Sequence, residues 1–190
     1  MSSKITRLVE KKYGIPYTDI EEGHALAYRM MERIFAGNDP DESMPVICAF
    51  NPSPAEQDSW RARPVNGHWP KELDGYVLNL YFGLSTLRPA EAVADSGNAK
   101  FKNSKQFFHR LHAIMLDDIG VGDGSKRHAD VAIDDMGNVS WDEVSWGEGA
   151  WEDIPLPPTF IVETSPLNYQ FIYVLGTPLK NRKVADHICN

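Results

Sequence analysis

Short apolar runs separated by polar, glycine- and proline-marked stretches set the pattern of this chain, and most of them read as strands. Residues 3–37 are the exception. They predict two helical pieces broken at Gly14-Ile15-Pro16, the second over 20–35 with Leu26, Met30 and Ile34 at helical spacing and stopped by Gly37-Asn38-Asp39-Pro40. Pro45-Val46-Ile47-Cys48-Ala49-Phe50 predicts a first strand, and 76–84 (Val77, Leu78, Leu80, Tyr81, Phe82) a second. Between them, 51–73 is rich in Pro, Trp and Arg and is expected to lack regular structure. Residues 100–111 predict a helix with Phe101, Phe107, Phe108 and Leu111 inward and Lys102, Lys105 and Arg110 outward; His109 and His112 would then form a partly exposed helical pair.

Ala113-Ile114-Met115-Leu116 predicts a buried strand that ends in Asp117-Asp118-Ile119-Gly120, followed by a flexible glycine-rich loop, 120–126. Residues 158–175 read as strand, polar turn and strand, so their polar residues gather at one tip. Residues 179–190 open a helix with no C-terminal signal, which predicts an N-terminal fragment of a longer protein. The expected fold class is α/β (α+β), a single domain over 1–190, with 128–154 as an acidic insertion or edge hairpin. That insertion carries Trp141, Trp146 and Trp151, and Asp135-Met136-Gly137-Asn138 reads as a hairpin turn within it.

Composition narrows the class. The chain has 190 residues, 42% hydrophobic and 24% charged, enough for one substantial core. No apolar run reaches the roughly 20 residues needed to span a bilayer, and Met1-Ser2-Ser3-Lys4 opens no apolar leader. Cys48 and Cys189 show no metal-ligand spacing and read as reduced thiols of a cytoplasmic protein. The net charge of −8 argues against a nucleic-acid partner until its distribution is read. Nine acids and no Lys or Arg fall between His128 and Thr177, and without those nine charges the chain stands at +1. Basic groups remain at Lys100/Lys102/Lys105/Arg110, at Lys126/Arg127 and at Lys180/Arg182/Lys183, so a local basic groove is compatible with the composition.

Two adjacent carboxylates at the end of a buried strand need a partner, because desolvating a charge is costly. A divalent cation accepts several carboxylate oxygens at once. A turn pair after the strand is the plainer alternative. On a regular strand Asp117 and Asp118 would point to opposite faces. Ser165-Pro166-Leu167-Asn168 is compatible with a simple hairpin turn, and Tyr169 with a core position. Glu163 suits a ligand or a structural role equally.

In motif order over about 46–179, the chain resembles the archaeo-eukaryotic primase superfamily, in its plasmid RepB-type and phage primase-polymerase branch. Val46 to Phe50 with Trp60-Arg61-Ala62-Arg63, then Asn79-Leu80-Tyr81-Phe82-Gly83-Leu84-Ser85-Thr86-Leu87, carry the weaker part. Leu116-Asp117-Asp118-Ile119-Gly120 looks like the first acidic motif, and Glu163-Thr164-Ser165-Pro166-Leu167-Asn168-Tyr169-Gln170 like the second. The resemblance implies an RRM-like catalytic sheet with flanking helices and Mg²⁺ or Mn²⁺ on Asp117 and Asp118. It implies nucleotidyl transfer from NTP or dNTP on a single-stranded DNA template, in the cytoplasm of a bacterial or phage-infected cell, with a replicative helicase as a further partner. Ser165, Asn168, Gln170 and Lys126 would bind the nucleotide. Lys102, Lys105, Arg61 and Arg63 are candidate phosphate or template contacts.

The chain departs from the family pattern twice. Gln170 stands where many members carry His, and past the hairpin only Asp186 offers a carboxylate. A catalytically degenerate primase fold that binds nucleic acid or a replication partner is therefore the second expectation, and a metal-dependent nuclease the third.

Overall fold

A computed structural model describes residues 17–50, 62–65, 79–88, 105–131, 144–146 and 157–189. The protein is α+β, and it divides into two compact units, Met1–His112 with Thr177–His187, and Ala113–Gly176 with Ile188–Asn190.

The first unit opens with helix α1, Tyr17–Ile34. Its inward side ends in Met31 and Ile34, continued by Phe35, all buried. Leu26, expected on that side, is 63% exposed, since the buried stripe is set by the last turn of the helix. Strand β1, Val46–Phe50, pairs antiparallel with β2, Ala62–Pro64, and with β3, Asn79–Phe82. β2 falls inside the segment expected to be irregular. Three residues are too few for a periodic signal, and the neighbouring β1 supplies their register. β4, Ser85–Leu87, pairs with the start of β5 through Ser85↔Leu111 and Thr86↔Arg110. Val46, Leu87 and Phe107 form one buried cluster. The C-terminal helix α2, Arg182–Ile188, matches the expected one and buries Ala185.

The expected helix over 100–111 is not formed in its described part. Lys105–Phe107 is a single 3₁₀ turn, and Phe108–Gly120 is the 13-residue strand β5. His109 and His112 therefore sit on a strand, and His112 is 2% exposed, edge-on to Phe35 at 5.1 Å between ring centres.

The second unit takes β5 from Ala113 onward, β6 (Arg127–Asp130), β7 (Ser145–Trp146), β8 (Phe160–Ser165) and β9 (Asn168–Leu179) up to Gly176, in the order β7-β6-β5-β9-β8. β8 and β9 form the expected hairpin. The acidic segment contributes β7 as an edge strand antiparallel to β6. Its expected turn at 135–138 lies outside the described residues, as do Trp141 and Trp151. Ile119, Ala129, Val131, Tyr169 and Phe171 make the core, with Leu116, Val144, Ile161 and Tyr173 packed on it.

β6 runs parallel to the end of β5, through Ile119↔Arg127 and Gly120↔His128. Parallel strands ordinarily need a connection of about a dozen residues. Here 121–126 suffice, because only two residue pairs are made and the link starts at a glycine with φ +141°.

Candidate functional site

The side chains of this site all belong to the second unit. Asp117 and Asp118 both lie inside β5, which runs on to Gly120 rather than stopping at the acids. Strand alternation would send the two carboxylates apart, but Asp118 adopts φ +57°. Such a conformation is uncommon for a non-glycine residue and breaks the alternation locally. The Asp118 N–H then donates to Asp117 Oδ1 at 2.9 Å.

The two acids are held from the two strands that flank β5. Gln170 Nε2, on β9, donates to Asp117 Oδ1 at 2.9 Å. Lys126 Nζ, just before β6, donates to Asp118 Oδ2 at 2.5 Å, and the Lys126 N–H donates to the Asp118 carbonyl at 2.8 Å. That hydrogen bond and the charge of Asp118 raise the Lys126 pKa. Arg127 Nη1 donates to the Asp117 carbonyl at 3.0 Å. The result is a polar group of two carboxylates, one ammonium, one guanidinium and one amide, with Asp117 exposed and the Asp118 side chain 25% exposed.

The link 121–126 is anchored on the tip of the β8–β9 hairpin. The N–H groups of Val121 and Gly122 both donate to the Leu167 carbonyl, at 3.0 and 2.9 Å. Main chain meets main chain so closely that a Cβ on Gly120 would overlap the Leu167 carbonyl, and one on Gly122 the Pro166 carbonyl. Ser125 Oγ donates to Asn168 Oδ1 at 3.1 Å. Leu167 stands at φ +60° in the two-residue turn Pro166-Leu167, and its N–H donates to Glu163 Oε1 at 3.0 Å. Glu163 thus supports the turn. A register shift between Glu163 and Ser165 frees Thr164, whose hydroxyl donates to the Asn168 carbonyl at 3.2 Å.

Of the residues singled out in the sequence, Asp117, Asp118, Lys126 and Gln170 come together by direct contact. Ser165 is exposed at the hairpin tip. Asn168 is 8% exposed and braces the link. Tyr169 is a core residue. Lys105 belongs to the first unit, where its ammonium is 3.9 Å from Asp186. Arg61 and Lys102 lie outside the described residues, and so does the side chain of Arg63. Arg127 was noticeable in the sequence only as the neighbour of Lys126. Its bond to a backbone carbonyl has no sequence signature.

Among the described residues no three His, Cys, Asp or Glu side chains gather as a ready ligand set. Two adjacent carboxylates still fit a hard cation of the Mg²⁺ type, which takes one or two protein carboxylates and fills its remaining positions with water and phosphate oxygens. The Lys126 ammonium already stands on Asp118 Oδ2 as a cation.

No family model, no curated protein and no solved structure matches the chain.

Proposed function

We propose that this chain is a primase or primase-polymerase module of a phage or plasmid replication protein, built on an RRM-like sheet. It would add nucleotides from NTP or dNTP to a strand paired with a DNA template. The observation that carries this reading is the Gln170–Asp117 hydrogen bond, which brings the second motif onto the first across 53 residues. Motif order alone would be served by any arrangement of the two segments; contact between them suits a shared site.

Asp117 and Asp118 are the residues that would hold Mg²⁺ or Mn²⁺. When bound, such an ion offsets charge on the triphosphate and lowers the pKa of an attacking hydroxyl. In the transfer itself the 3′-oxygen bonds to the α-phosphorus, the bond from that phosphorus to pyrophosphate breaks, and the hydroxyl proton passes to water. Lys126 and Arg127 supply positive charge beside the acids for phosphate oxygens. Gln170 orients Asp117, Ser165 offers a hydroxyl at the exposed tip, and Asn168 keeps the link carrying Lys126 in position through Ser125.

The test is metal-dependent incorporation of labelled nucleotide on a primed and an unprimed single-stranded template. Activity lost in Asp117→Asn/Asp118→Asn supports the reading; activity kept in that variant sinks it.

A second reading, a degenerate primase fold acting as a binding module, draws on two observations. Asp118 is already neutralised by Lys126, and Asp186, the one acid past the hairpin, is held by Arg182 at 3.5 Å and Lys105 at 3.9 Å. Template binding without incorporation under any metal would favour it.

A further inference from the structure

Several cations of the first unit gather where three segments meet: the residue after β4, the 3₁₀ turn with the start of β5, and the chain entering α2. Arg88 Nη2 donates to the Gln106 carbonyl at 2.8 Å, beside Lys105. Arg182 Nη1 donates to the Lys105 carbonyl at 3.4 Å. His109 registers the crowding: burial first, then Arg110, with Arg88 and Lys180 adding to it and Glu42 opposing, lowers its pKa. Arg88, Lys105, Arg110, Lys180 and Arg182 thus occupy one region, and Lys183 follows Arg182 in the first turn of α2. Among the described residues, Glu42 meets Arg110 at 2.7 Å, and Asp186 meets Lys105 and Arg182. Both guanidinium groups that meet these acids are fixed by them, whereas Lys105, whose ammonium is only 3.9 Å from Asp186, and Lys180 and Lys183 are exposed residues.

Like charges held together repel, and an anion relieves that repulsion. A single phosphate satisfies only neighbouring donors. Cations distributed over three segments suit a ligand with repeated charges along its length. The carboxylates of the acidic segment from Asp130 to Glu163 belong to the other unit, so the −8 of the chain conceals this excess.

We infer that the first unit carries a binding surface for the phosphate backbone of single-stranded nucleic acid, made by Lys105, Lys180 and Lys183 together with Arg88, Arg110 and Arg182. It deepens the proposed function by giving the strand a place to bind, and it stands on residues that take no part in the Asp117–Asp118 group.

Fluorescence anisotropy of the full chain with labelled dT20 and rU20, over a range of salt, tests it. Three proteins are compared: wild type, Lys180→Gln/Lys183→Gln, and Arg29→Gln/Arg33→Gln, which removes the same charge from exposed positions on α1. The expected result is binding that weakens about tenfold in the Lys180/Lys183 variant and is unchanged in the α1 variant. The salt slope of the Lys180/Lys183 variant should be shallower by about 0.7 for each phosphate that is no longer neutralised. Binding to dT20 alone, or to rU20 alone, tells which strand is held and supports the surface either way. Equal weakening in both variants, no strand binding by the wild type, or equally tight binding of poly-glutamate would overturn it. Asp117→Asn/Asp118→Asn separates the two proposals. Strand binding kept while Mn²⁺ binding is lost leaves both standing, and strand binding kept with no Mn²⁺ binding even in the wild type removes only the catalytic reading.

Discussion

Gln170 Nε2 donates to Asp117 Oδ1, the same oxygen that accepts the N–H of Asp118. One carboxylate oxygen is therefore fixed from two directions while the rest of the exposed group stays open to solvent. Replacing Gln170 by Leu removes a charge-assisted hydrogen bond of about 1 kcal/mol at this partly exposed position. Calorimetric titration with Mn²⁺ should read this as about a fivefold loss of affinity. An unchanged Mn²⁺ isotherm would show that Asp117 needs no such orientation.

On the proposed reading, Lys126 and a divalent cation would compete for Asp118. In Lys126→Met the ammonium is gone and the link keeps its main-chain bond from the residue 126 N–H to the Asp118 carbonyl. Mn²⁺ should then bind more tightly than in wild type, while triphosphate binds more weakly for want of its positive charge. Weaker Mn²⁺ binding in this variant would mean that the lysine organises Asp118 instead of occupying it.

Gly122→Ala forces apart the link and the hairpin, since the new methyl overlaps a backbone carbonyl that cannot turn away cheaply. The cost should be about 2 kcal/mol, in the range of overpacking changes. Hydrogen exchange at the amides of residues 121 and 122, whose bonds to the Leu167 carbonyl close this contact, should accelerate with it. Protection at the wild-type level in a folded Gly122→Ala chain would contradict the close approach.

Burial first, then Arg110 and His109, pushes the His112 pKa down to about 4 from 6.5. Above pH 6.5 the imidazole is neutral folded and unfolded, so this site costs nothing. Below 6.5 the unfolded chain takes up the proton and the folded one does not, so stability falls with pH until about pH 4. The total is about 3 kcal/mol for a shift of this size at a buried group. Denaturant titrations at pH 7 and pH 4.5 should show the drop in wild type and a smaller one in His112→Gln. Equal drops in both proteins would assign the acid sensitivity to other groups.

Leu167 is half exposed and stands at φ +60°, a region that costs a branched aliphatic residue about 1 kcal/mol and suits Asn better. Leu167→Asn should raise the thermal midpoint by a few degrees. A lower midpoint would mean that the leucyl side chain offsets its strain through packing.

How far the fold could be read from sequence follows from how each segment is buried. The hairpin over 158–175, β1 and the helix α1 were legible because each carries an apolar pattern bounded by turn residues. The segment 100–111 misled because β5 is covered on both faces near His112, so it lacks the alternation of a half-exposed strand. Its Phe and Leu positions also fit a helical stripe, and pairing with β4 decides the outcome. At the site, the residue types at Asp117, Asp118, Lys126 and Gln170 were readable. The left-handed backbone at Asp118 was not, because nothing in Leu-Asp-Asp-Ile-Gly requires it.

The contact between the β5–β6 link and the hairpin tip is written in carbonyls and amides, not in side chains. Substitution at Ser165 or Leu167 therefore leaves the Leu167 carbonyl available to Val121 and Gly122. These two exposed positions can be exchanged while the frame beneath them is left alone, whereas the glycines opposite tolerate no such freedom. Side-chain chemistry at the tip and the main-chain frame are thereby separable at the level of single residues.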